Sequence, residues 1–127
     1  LAVTTQSVSI QGYQKHIDNH ITVIFHLTEF FKQYAKTGTT EKVEYIGKRI
    51  AQMVGDQITI FVSFPETDIS IKRKFIDFDR KLKELSPEIY SRSGEESGSL
   101  RLFRKTGFRG YKWIAKMCRK RNHIGEE

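Results

Sequence analysis

Apolar positions along this chain change their period several times, and each change predicts an element. In residues 2–10, Val3, Thr5, Val8 and Ile10 alternate with mostly polar neighbours and are β-branched, which predicts a strand ended by Gly12. From Tyr13 to Lys36 the spacing becomes helical. Ile17, Ile21, Ile24, Phe25, Thr28 and Phe31 form one stripe, with Leu27, Phe30 and Tyr34 beside it, and no Gly or Pro intervenes. So wide an apolar arc predicts packing against two neighbours. Gly38 ends this helix, and Thr39-Thr40-Glu41 opens the next with a hydroxyl cap and an acid in the first turn. Val43, Ile46, Ile50, Met53 and Val54 give its buried stripe and Gly55 its expected end, so the pair reads as an antiparallel helical hairpin.

Beyond Gly55 the period returns to two. Ile58, Ile60, Val62 and Phe64 alternate with Gln57, Thr59, Phe61 and Ser63, predicting a central strand over 57–64, and Ile69-Ser70-Ile71 pairs back after the turn at Pro65-Glu66-Thr67-Asp68. Phe75, Phe78, Leu82 and Leu85 predict a third helix over 72–85, stopped before Pro87. Residues 91–99, SRSGEESGS, have the composition of a flexible loop. In the last segment, Leu100 and Leu102 lead into a turn at Lys105-Thr106-Gly107, and Tyr111, Trp113, Ala115 and Met117 alternate on the way back. A β-hairpin with a basic tip fits best, with Trp113 pointing inward; the same residues also satisfy a helix with Trp113, Ile114, Met117 and Arg121 on one side. The expected fold is a single α+β domain over 1–127: a long antiparallel helical hairpin packed on a small, mainly antiparallel sheet, a third helix, and a basic C-terminal hairpin or helix.

Charge sharpens this picture more than composition does. Residues 1–97 hold 13 Lys and Arg against 13 Asp and Glu, whereas nine basic residues crowd 101–121 with no acid between Glu96 and Glu126. The net charge of +7 therefore belongs to the C-terminal segment. Cys118 is the single cysteine, which excludes an intrachain disulfide and a multi-cysteine zinc site. It points to a reducing, intracellular location, cytoplasmic or nuclear. Cys118 itself reads as a small buried thiol. No run approaches the ~20 apolar residues of a membrane span.

The expected function is nucleic-acid binding, of RNA or single strands, by the basic and aromatic segment 101–121. Arg101, Arg104, Lys105, Arg109, Lys112, Lys116, Arg119, Lys120 and Arg121 are the phosphate-binding candidates, and Phe108 and Tyr111 the base-stacking ones. One alternative is a small metal-independent RNase in which His123, beside Arg119 and Arg121, moves the proton. Another is an assembly module whose long helix self-associates and whose basic face docks an acidic protein or an anionic membrane surface. No cofactor or metal is expected. His16 and His20 stand one helical turn apart without an acid completing a zinc motif, and Asp56, Glu66 and Asp68 with Lys72 lack the usual acid-x-lysine triplet of metal-dependent nucleases.

Overall fold

The computed structural model describes residues 15–121, and every regular element within them is helical. The chain runs through α1 (Ile17–Tyr34), α2 (Thr40–Ser63), α3 (Ile69–Leu85), α4 (Pro87–Glu96), α5 (Gly98–Lys105) and α6 (Tyr111–Arg121). The expected α+β architecture is therefore overturned: among the described residues there is no strand and no sheet. The strand expected at 2–10 lies outside the described residues.

The helical hairpin exists, with a longer second arm. α1 and α2 run antiparallel, since Phe31 packs on Gly47 while His20 bonds Gln57 at the other end. Gly55 does not end α2, which continues through the predicted strand to Ser63. The reason is burial around most of the helix. Gln57, Ile58, Ile60, Phe61, Val62 and Ser63 are all buried, with Thr59 alone exposed among residues 57–63, and a helix covered so widely shows little 3.6 period. Residues 69–71, expected to pair as a strand, are the first turn of α3, whose Asp68 accepts the Ile71 N–H at 3.2 Å.

The expected loop at 91–99 is instead helical at both ends. Pro87 stops α3 but stands at the start of α4, where its missing N–H costs nothing, and Ser86 caps that helix by accepting the Ile89 N–H. Ser97 likewise ends α4 and caps α5 through the Leu100 N–H. Two hydroxyls thus turn a Ser/Gly-rich stretch into two short helices. The predicted C-terminal hairpin is the pair α5 and α6, joined by a turn in which Gly107 and Phe108 take left-handed backbone, φ 62° and 63°. Phe108 bears the steric cost because its ring packs edge-on to Phe75 at 5.0 Å and beside Phe103 at 5.8 Å.

Phe75 is the hub of the core. It stacks on Phe61 at 4.8 Å and meets Phe103 at 5.0 Å and Tyr111 at 6.2 Å, so that α2, α3, α5 and α6 converge on one aromatic cluster. That cluster fixes α6 on the bundle and decides which of its sides faces out.

Candidate nucleic-acid interface

α6 buries Tyr111, Ile114, Ala115 and Cys118, at i, i+3, i+4 and i+7. Apart from half-buried Arg119, the remaining positions form two outward rows at i, i+4, i+8: Lys112, Lys116 and Lys120 in one, Trp113, Met117 and Arg121 in the other. Trp113 is 67% exposed and Met117 44%. α5 buries Leu100 and Phe103, leaving Arg101 and Lys105 exposed one turn apart, and Arg109 is exposed on the turn between the helices.

Seven of the nine cations predicted to bind are exposed, and among the described residues no ion pair engages them: Arg101, Lys105, Arg109, Lys112, Lys116, Lys120 and Arg121. The other two are structural. Arg104 is drawn inward to Asp79, at 2.7 Å from Nη2, with Nη1 donating to the Tyr90 carbonyl at 2.8 Å and the guanidinium lying 3.6 Å over the Tyr90 ring. Arg119 donates to Glu66 at 2.7 Å, tying α6 to the α2–α3 turn. Glu66 is held below the usual carboxylate range, first by its own backbone N–H, then by Arg119, with Lys116 adding charge at longer range.

Both predicted stacking residues are also reassigned. Tyr111 is 1% exposed and Phe108 packs on the aromatic core, so neither offers a face to a base. Trp113, expected inside, is the exposed ring. Tyr111 and Trp113 share a side on a strand but lie about 200° apart on a helix, so making the segment helical exchanges their roles. His123 lies outside the described residues.

The other sequence candidates are dispersed. His20 turns to Gln57 rather than to His16. Asp68 caps α3, Glu66 holds Arg119, and Asp56 lies on the exposed side of α2. Among the described residues, no group of three or more His, Cys, Asp and Glu is gathered to hold a metal ion, and no helix is long and apolar enough to cross a membrane. Cys118 is buried; burial pushes its thiol up, against the Arg121 charge and the Ser99 hydroxyl, which makes it a poor nucleophile.

No protein-family model, curated protein or solved structure matches the chain.

Proposed function

We propose that this domain binds single-stranded nucleic acid, without catalysis, through the outward side of α6 and the adjoining cations of α5 and its turn. The observation that carries the reading is the pairing of two parallel rows on α6, one of three lysines that no ion pair among the described residues engages and one headed by an exposed tryptophan. Cations along one row neutralise successive phosphates with release of counterions, while an exposed indole beside them stacks on a base. Stacking needs an unpaired base, so the reading favours single strands over duplex.

An anionic membrane surface fits less well. A helix lying in a lipid interface inserts a broad apolar side, whereas α6 spends Tyr111, Ile114, Ala115 and Cys118 on the core and leaves only the narrow pair Trp113 and Met117 outside. Binding of nucleic acid by a domain with a lone reduced thiol fits an intracellular setting.

The test is fluorescence anisotropy of a labelled single-stranded RNA across a salt series. If about five phosphates are neutralised, log affinity falls against log salt with a slope near −3.5. The variant K112E/K116E/K120E should lose binding while keeping its melting temperature. Unchanged affinity in that variant would sink the reading. Cleavage of the RNA would instead favour the RNase, and capture by vesicles of anionic lipid the membrane surface.

A further inference from the structure

The row Trp113, Met117, Arg121 runs about 12 Å along α6, at 1.5 Å per residue, and ends at a cleft. This cleft, of about 550 Å³, opens between the middle of α2, the α4–α5 junction and the end of α6, and Arg121 forms part of its wall. Its volume is that of an ordinary small-ligand site. The lining is mainly polar: Arg49, Gln52 and Asp56 along one side of α2, Glu96 and Ser99 opposite, and Arg121 at the α6 end.

Gly55, on the α2 wall, is a second and separate sign. Glycine inside a helix is destabilising relative to alanine and normally reflects close packing. Gly47, on the same helix, has that reason, because a Cβ there would stand 3.2 Å from the Phe31 ring. Among the described residues, a Cβ on Gly55 would meet nothing within 4 Å. The space it leaves belongs to the cleft.

The charges decide what fits. Two guanidinium groups are matched by two carboxylates, so a phosphate gains little there. A neutral group rich in both donors and acceptors gains more. Among the nucleobases, only guanine places two donors side by side on its Watson–Crick edge, N1–H and N2–H, for one carboxylate. On its other edge it places two acceptors, O6 and N7, for one guanidinium. Adenine, cytosine and uracil each put an acceptor where the carboxylate would need a donor. Arg49 and Asp56 stand two turns apart, about 10.5 Å along α2, a span that a purine bonded at both ends fills.

We propose that the cleft takes one unpaired guanine of the strand bound along α6, with Asp56 or Glu96 on its Watson–Crick edge and Arg49 or Arg121 on O6 and N7. This rests on the nucleic-acid reading above and adds base preference to it.

The experiment compares labelled oligouridylate strands that differ at one central base: guanine, inosine, adenine or uracil. Guanine should bind about tenfold or more tighter than uracil or adenine, and inosine, lacking the N2 amino group, should fall between. In the variant D56N/E96Q the preference should vanish while affinity for the all-uracil strand holds. Gly55→Leu, which fills the cleft at a site with room for a side chain, should likewise erase it. A chain that binds all four strands equally, or a variant that keeps the full guanine preference, overturns the base pocket and leaves the proposed function standing. Failure to bind any strand overturns both.

Discussion

Arg104 of α5 reaches back 25 residues to Asp79 of α3, with Nε 3.1 Å from both carboxylate oxygens and Nη2 2.7 Å from one of them. Both side chains are largely buried, at 12% and 7% exposure, and Arg104 also donates from Nη1 to the Tyr90 carbonyl and from Nη2 to the Ser93 hydroxyl. Removing one member strands the other charge. Arg104→Ala should therefore cost about 3–5 kcal/mol in urea unfolding. Arg104→Lys should recover little, because an ammonium cannot make the forked contact. Replacing both, as R104M/D79L, should restore most of the stability. A small loss for Arg104→Ala would mean that the pair lies in water.

Trp113 sits on the opposite footing. With its ring mostly outside, Trp113→Ala should change stability by less than about 0.5 kcal/mol. The same substitution should weaken binding of a single strand by about 1–3 kcal/mol if the indole stacks on a base. Its neighbour Ile114, 1% exposed, should show the reverse: Ile114→Ala should lower stability by about 2–5 kcal/mol. Thermal melts and anisotropy titrations on the same samples separate the two effects.

How far the fold and the site were legible in the sequence follows from these residues. The helical hairpin was legible because α1 presents a continuous stripe, Ile17, Ile24, Thr28 and Phe31, on one side of the core. The rest of α2 was not, because burial of Gln57 and Phe61 together with Ile58, Ile60 and Val62 leaves only an accidental alternation rich in β-branched residues, which reads as a strand. The segment 91–99 looked like a loop because Ser and Gly are weak helix formers, while Ser97 acts as a cap whose value depends on the helix it starts. At the site, the segregation of charge was plain. The fate of single cations was not, since Arg104 and Arg119 find partners 25 and 53 residues away, beyond any local pattern. The cleft also escaped notice because its walls come from α2, the α4–α5 junction and α6.

The two glycines of α2 should respond oppositely to alanine. At Gly55 none of the described residues lies within 4 Å of the new methyl, so Gly55→Ala should stabilise by about 1 kcal/mol through helix propensity alone. At Gly47 the methyl would stand 3.2 Å from the ring of Phe31, itself 2% exposed and packed in the core, with Arg92 at 3.4 Å. Overpacking of about 1–3 kcal/mol should outweigh the gain in propensity there. Calorimetric melts that raised the transition in Gly47→Ala would show that the α1–α2 contact has room for a methyl.

Tyr111 links the core to alkaline pH. Burial, and secondarily the Asp68 carboxylate, push its phenol up to about 12 from an ordinary value of 10. The folded state thus holds this proton more tightly than the unfolded chain does. The stability it confers is complete below pH 10 and is lost as pH rises through 12, where the unfolded chain ionises first and gains by it. A shift of this size corresponds to about 2–3 kcal/mol. Phenylalanine keeps the ring contacts with Phe75 and Phe103 and removes the titration, so Tyr111→Phe should match the parent at pH 9. Above pH 10 the variant should become the more stable of the two, by a margin that widens toward pH 12. Comparing both proteins in urea at each pH isolates the one group that differs between them. The phenolate absorbance of the native parent should show, relative to Tyr111→Phe, one added step near pH 12. A parent-minus-variant difference that stays flat from pH 9 to 12 would mean that the Tyr111 hydroxyl is open to water and that the α6 side taken as buried is not.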